Sequence, residues 1–444
     1  MARIAPFRGV FYNQKKIRDL SKVIAPPYDV ISREEQEKLH RKSPYNFVRL
    51  DLSQEPDSYT AVAQLLQEWE AQTIFERDER PAIYFSMHRF KLPHGEEKVR
   101  SGFFAVTQLE EFSEGTIRPH EKTLEAPKED RLRLMLASNT QLSPIFALYT
   151  DPKQTINRIL ATQMEGIPPF IEVHQDNGDQ CQLWRINDPA LIKNIQQEMA
   201  DQPLLIADGH HRYEATLNYR NQMRQARGQW TGNEPFNYIM TYFANMKDEN
   251  VVILPTHRLV RGYAAQPFLQ LEESLQKFFY LEQYPKTAEG KTWFLKALKN
   301  GAKKQRLIGA SFKRDPRYLI LRLKNKRIMQ RLAKDLSDAL RELDVTTLHL
   351  LLLEHILGLS AEQQVGGETI RYSQDEEAVL QALEKEDYQA AFLLNPPKPE
   401  EILNIVESGE KMPQKSTYFY PKVISGLLVN RIDPEEQIEA LPQQ

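Results

Sequence analysis

Cysteine is almost absent from this chain: Cys181 is the one thiol in 444 residues. An internal disulfide and a thiolate-only metal site are therefore excluded, and a reducing compartment is the natural setting. No apolar run approaches membrane-spanning length, and the opening segment MARIAPFRGVFYNQKK lacks the apolar core of a signal peptide, so a cytoplasmic protein with no membrane partner is expected. Neither sign of charge dominates: 58 basic residues stand against 61 acidic ones, a formal net charge of -3. Such a balance supplies no global field for attracting nucleic acid. No GxxxxGK[ST], G-x-G-x-x-G or G-x-S-x-G sequence occurs, which argues against P-loop, Rossmann and serine-hydrolase chemistry. HExxH is missing too. In the apolar segment VTTLHLLLLEHILGLS, His349 and His355 lie six apart and hence on different faces of a helix, so a core helix is expected there and no metal site.

What is present reads as an ordinary globular chain, 41% hydrophobic and 27% charged, long enough for two or three domains. Asp57 to Arg80 carries helical spacing (Tyr59, Val62, Ala63, Leu66, Trp69, Ile74). PAIYFSMHRFKL and KVRSGFFAVTQL read as a hairpin about His94-Gly95, FIEVHQDNGDQCQLWRIND as another about Asn177-Gly178, and SPIFALY, NYIMTYFANM and VVILPTHRLV as further strands. Cys181 lies on a strand, where a lone cysteine is usually a small packed hydrophobe. From about Gly262 the pattern changes to alternating amphipathic helices and short strands. The expected class is α/β in the α+β sense, with mixed sheets, a first domain over 1–261 and an α/β C-terminal region over 262–444.

The stretch PLLIADGHHRYEATLNYR, Pro203 to Arg220, reads as a buried strand, a tight turn at Asp208-Gly209 and a helix beginning with His210, His211 and Arg212. A helix start offers unpartnered N–H groups and the positive end of the dipole, and glycine permits close approach, so this is a ready anion site. Arg212 adds a planar fork suited to phosphate oxygens. A second stretch, GTIRPHEKTLEAPKEDRLRLM, crowds Arg118, His120, Glu121, Lys122 and Thr123 between stiffening prolines, a useful set for phosphate or acid–base work. In KVIAPPYDVIS two prolines force an extended backbone, giving either a rigid surface turn or a fixed loop that presents Tyr28 and Asp29. His257 and Arg258 read equally well as facing the site or as exposed. KMPQKSTYFYPK either closes over a site or merely enters the last strand.

VIAPPYDVIS, RPHEKTL with KEDRLRLM, SPIFALY, LLIADGHHRYEAT and MPQKSTYFYPK, in this order, resemble the family catalogued as domain of unknown function 1015, from near residue 1 to about residue 430. Members of that family are often labelled ParB-like. The label points to the ParB/sulfiredoxin superfamily, in which a glycine-led motif at a helix start holds nucleotide phosphates. His210 stands where sulfiredoxins carry the cysteine of Gly-Cys-His-Arg, which excludes their redox chemistry. Asp-Gly-His-x-Arg is most similar to the free-serine kinases and implies phosphate contacts at Gly209, His210 or His211, and Arg212.

The expected function is therefore phosphoryl transfer or hydrolysis on a small molecule by a nucleotide- or phosphometabolite-binding enzyme. Its candidate catalytic residues are His120, Glu121, Lys122, Asp208 and His210, with Glu121 or His120 as acid/base and Lys122 and Arg212 as charge stabilisers. Gly209, His211, Arg212, Tyr28 and Asp29 are the candidate ligand-binding residues. ATP or ADP is the expected cofactor, with Mg²⁺ because phosphate chemistry usually uses one. The rivals are a ParB-like nucleic-acid-binding or nuclease protein, which needs a basic face around Arg118, Lys122, Arg131 and Arg133, and a non-catalytic ligand-binding regulator.

Overall fold

The computed structural model describes residues 2–200, 202–264, 268–301, 305–365 and 367–440. The chain forms two compact units: one holds residues 1–119, 123–252 and 421–444, the other 120–122 and 253–420. Both mix helices with sheets, giving the α+β class. No helix among the described residues is long and apolar enough to cross a membrane.

The first unit is built on a nine-stranded mixed sheet. Its strands are β1 (Ile4–Ala5), β2 (Ile83–Lys91), β3 (Glu97–Gln108), β4 (Ile117–Pro119), β5 (Ile145–Tyr149), β6 (Ile171–His174), β7 (Gln180–Ile186), β8 (Leu204–Asp208) and β9 (Tyr238–Asn245). They run in the order β4-β8-β5-β9-β3-β2-β7-β6, with β1 on β3. Alternation of side chains decides the face each strand buries. Phe85, Phe103, Ala147, Tyr149, Ile206 and Phe243 join one core, covered by Leu160, Ile195, Met199 and Tyr213 from helices. Phe103 and Phe243 stack there with ring centroids 4.8 Å apart. The two expected hairpins are present as β2–β3 and β6–β7, both antiparallel. Cys181 on β7 is buried, and burial pushes its thiol well above the usual range.

The helix expected over 57–80 is shorter. Asp57 caps it through the Thr60 N–H, it runs Ser58–Ala71, and Thr73 turns at φ +51° before a short strand Phe75–Arg77. That strand joins Gly9–Tyr12, Val429–Arg431 and Thr140–Gln141 in a separate four-stranded sheet.

The second unit has a six-stranded antiparallel sheet of β10 (His257–Val260), β11 (Phe279–Pro285), β12 (Ile308–Phe312), β13 (Arg317–Leu323), β14 (Ile370–Ser373) and β15 (Ala390–Leu393), ordered β11-β13-β12-β15-β10-β14. VVILPTHRLV is two strands, Val252–Leu254 and β10, because Pro255 cannot donate to a ladder. The apolar segment holding His349 is helical but wound wider than an α-helix, with the Leu357 N–H reaching the Leu352 carbonyl. His349 bonds Gln364 at 2.6 Å and His355 meets the Phe278 ring edge-on.

Gly102 on β3 sits where a Cβ would overlap the Phe243 carbonyl oxygen and the Tyr242 phenol. The main chain cannot yield within a paired sheet, so Gly102→Ala should destabilise the first unit by about 1–3 kcal/mol, read as a lowered urea midpoint at unchanged slope.

Candidate functional site

The Asp208–Arg212 turn is formed as the sequence predicts, by a strand buried on both faces. Leu204, Leu205, Ile206 and Ala207 are all buried in β8, which pairs with β4 in parallel and with β5 antiparallel. The register slips between Ile206 and Asp208, a bulge that re-aims the strand end. Gly209 follows at φ +89°, and a Cβ there would lie 3.0 Å from the Arg212 guanidinium carbon. The helix α1 (His210–Arg227) begins at once, and its N-cap residue, Gly209, has no side chain with which to cap it. A left-handed glycine thus stands at the positive end of an 18-residue helix.

Asp208 is the electrostatic centre of the turn. Arg212 Nη2 donates to its Oδ2 at 2.6 Å, and Lys422 Nζ donates to Oδ1. Burial by itself would raise this carboxyl; Lys422, then Arg212, then His210 outweigh it and hold it well below the usual carboxylate range. Burial by itself would lower the Arg212 guanidinium; Asp208, Asp29, Tyr28 and Asp51, in that order, together outweigh it and raise it. The fork expected to hold phosphate is engaged internally: Nη2 on Asp208 and Nη1 on the Pro144 carbonyl, leaving only Nε without a partner. The i,i+4 spacing of Asp208 and Arg212 brings this about.

The neighbouring histidines are also placed. His210 is buried. His211 Nε2 accepts the Leu124 N–H at 3.0 Å, just ahead of the helix Glu125–Ser138. Glu214 accepts from Thr123 Oγ1 at 2.8 Å and pairs with Lys128 at 3.2 Å. Beside the turn lies a small cavity of about 40 Å³ lined by Tyr28, Asp51, Arg131, Ser143 and Arg212 among others. The Arg131 guanidinium covers the Tyr28 ring at 4.1 Å and pairs with the sealed Asp51 carboxylate at 3.6 Å. Burial pushes the Tyr28 phenol up to about 12, against Arg131 and Arg212. Asp29 is exposed.

The structure therefore gathers Tyr28, Asp29 and the residues Asp208 to Arg212 in the first unit. His120, Glu121 and Lys122 belong to the second. His120 is fully buried, with Nε2 2.7 Å from Thr417 Oγ1, Glu121 accepts the Lys415 N–H at 2.8 Å, and Lys122 is exposed. His257 and Arg258 are both buried in that unit, which overturns the exposed alternative. Arg258 donates to the Thr256 and Lys415 carbonyls and covers the Tyr372 ring, and burial brings its guanidinium down to about 10.

Sequence reasoning missed Lys422 and Asp51. Lys422 ends the loop singled out as KMPQKSTYFYPK, so its neighbourhood carried a signal; Asp51, on a short helix Val48–Asp51, carried none. Of the cations on a suspected basic face, Arg131 pairs with Asp51 and Asp130, and Arg133 with Glu129. Among the described residues no group of three or more His, Cys, Asp or Glu side chains is placed to hold a metal ion.

The model of the family described as "Protein of unknown function (DUF1015)" matches residues 4–346. No curated protein matches the chain. Among solved structures, it is similar to a conserved hypothetical protein from Pyrococcus furiosus (14% identity, 72% of this chain and 92% of that one, TM-score 0.33). It is also similar to a free serine kinase in complex with AMP (13%, 71% and 86%, TM-score 0.33). A third is SbnI with a C-terminal truncation from Staphylococcus aureus (12%, 70% and 82%, TM-score 0.32).

Asp208→Asn leaves Lys422 and Arg212 without their shared counter-charge in a buried setting, so it should cost about 3–5 kcal/mol of first-unit stability at pH 7. Because the folded carboxyl lies below its unfolded value, its contribution is full above about pH 4 and fades as pH falls through the folded value. Urea unfolding at pH 7 and pH 3 should therefore show the gap between wild type and variant narrowing in acid; a gap of constant size would refute the charge account.

Proposed function

The chain belongs to the DUF1015 family, and on that premise we propose that its first unit binds the phosphate groups of a nucleotide or phosphorylated metabolite at the Gly209 turn. The protein is then a phosphotransferase or phosphohydrolase acting on a small molecule. The observation that carries this is the start of α1 directly behind a left-handed glycine, with Lys422 and Arg212 converging on Asp208. Helix N–H groups and the dipole accept phosphate oxygens without further apparatus. Phosphoryl transfer is mostly positioning and charge stabilisation, which such a frame provides.

Asp208 holds its two cations in fixed places rather than reacting. With the Arg212 fork engaged by Asp208 and Pro144, the phosphate donors are the N–H groups of Gly209 to His211, and Lys422 supplies a fixed positive charge beside them. The motif Asp-Gly-His-x-Arg supports a ParB/sulfiredoxin-like turn of free-serine-kinase type. The carboxylate pairing of Arg131 and Arg133 favours a small ligand over a nucleic-acid backbone, which needs cations to spare. Mg²⁺ accompanying a nucleotide would be held chiefly by the phosphates themselves.

Thermal unfolding of the full chain with ADP, AMP and inorganic phosphate tests the proposal. Ligand at a hundred times its Kd should raise Tm by about 5 °C or more. Lys422→Gln, which removes the charge and keeps a polar side chain one atom shorter, should weaken that binding about tenfold or more, as should Gly209→Ala, each measured against its own ligand-free Tm. No shift with any phosphate compound, or equal affinity in both variants, would overturn it.

A further inference from the structure

The second unit carries uncompensated positive charge at one edge of its sheet. From Arg322 to Lys334 the chain reads RLKNKRIMQRLAK, with no aspartate or glutamate. Its cations, Arg322, Lys324, Lys326, Arg327, Arg331 and Lys334, are all exposed. Glu342 pairs with Lys326 at 2.5 Å; the others have no carboxylate partner among the described residues. The whole chain has a formal net charge of -3, so this excess is local.

Local stability does not explain the placement. Lys326 is the N-cap residue and Arg327 the first residue of the helix Arg327–Leu332, at the end where the dipole is already positive and acidic side chains are preferred. Arg327 and Arg331 stand four apart, a spacing at which like charges repel on a helix. At the start of the run, Arg322 on β13 lies opposite Tyr280 on the edge strand β11. The Arg322 guanidinium covers the Tyr280 ring at 4.6 Å, and Lys324 Nζ lies 5.3 Å from its centre. Tyr280 is nonetheless 52% exposed, so open aromatic surface remains beside held cations.

We propose that this strip binds single-stranded nucleic acid, with a base stacked on Tyr280 and backbone phosphates on Arg322, Lys324, Arg327 and Arg331. Cations without carboxylates meet phosphates with no ion pair to break, the reverse of Arg131 and Arg133 in the first unit. A flexible strand can turn a base onto the ring, whereas a duplex keeps its bases paired and stacked inside. An anionic membrane is the weaker fit. The helix Arg327–Leu332 is shorter than two turns and offers Leu332 as its one large exposed apolar side chain. None of these residues belongs to the unit that holds the Gly209 turn.

Fluorescence anisotropy of the full-length protein with labelled thymidylate and uridylate strands of about 16 nucleotides tests this. Either strand should bind at micromolar protein in low salt, and the tighter of the two tells deoxyribose from ribose. The logarithm of the binding constant should fall against that of salt with a slope of about -3 for the four cations named. The double variant Arg327→Gln/Arg331→Gln should make that slope shallower by about 1.4. Tyr280→Ala should weaken binding about tenfold at unchanged slope, because it removes a stacking surface and no charge. Should Tyr280→Ala lower Tm, Tyr280→Leu, which keeps apolar bulk without the aromatic face, decides in its place. No binding in low salt, a slope unmoved by the double variant, wild-type affinity without the ring, a duplex bound as tightly as the single strands, or binding to phosphatidylserine vesicles but to neither strand would each overturn the proposal.

Discussion

A single buried carboxylate organises the first unit. Asp208 ends a strand that is closed on both faces and meets Arg212, four residues on, and Lys422, distant in the chain. Through Lys422 the segment 421–444 is tied to the first unit, where Val429–Arg431 supplies a strand between Gly9–Tyr12 and Thr140–Gln141. Closing so long a loop costs little more than closing a shorter one, since the entropy grows only with the logarithm of length. The pairing is therefore specified by charge and geometry, not by proximity in sequence.

Buried ion pairs are weak contributors to stability, because desolvation takes back most of the Coulomb gain. A triad of Asp, Arg and Lys at the start of a helix consequently has more value as a positioning device than as a staple. It holds the Arg212 guanidinium against Gly209, where a Cβ would meet it at 3.0 Å, so only glycine fits at this helix start. On the proposed reading, the turn meets an anion with backbone donors within a field shaped by held charges. This division of labour differs from a guanidinium fork reaching for phosphate, which the sequence pattern alone suggests.

Much of the fold was legible because it depends on short-range rules. The apolar run Leu204–Ala207 followed by glycine announced a buried strand and a helix start, Asn177-Gly178 announced a hairpin, and the alternation in SPIFALY and NYIMTYFANM announced strands. Failures came where local spacing was ambiguous or a distant partner decided. Ile74 fits the helical period but lies beyond the turn at Thr73. Pro255 divides what reads as one apolar strand. In the site, Tyr28, Asp29 and the glycine turn were visible from their residue types. Lys422 and Asp51 were not, since neither has a local pattern that names Asp208 or Arg131 as its neighbour. His120 looks like an acid or base in sequence, yet its ring is sealed against Thr417 and Phe419.

Three aspartates show how environment, and not residue type, assigns a role. Asp208 has two cations and is driven far down. Asp51 is equally buried but has Arg131 at 3.6 Å and hydroxyl partners, and burial still leaves it raised. Asp344 has no ion pair among the described residues, and burial carries it to about 7. The same side chain is thus driven down where facing cations outweigh desolvation and up where they do not, and the balance is set by what the fold packs around each carboxyl.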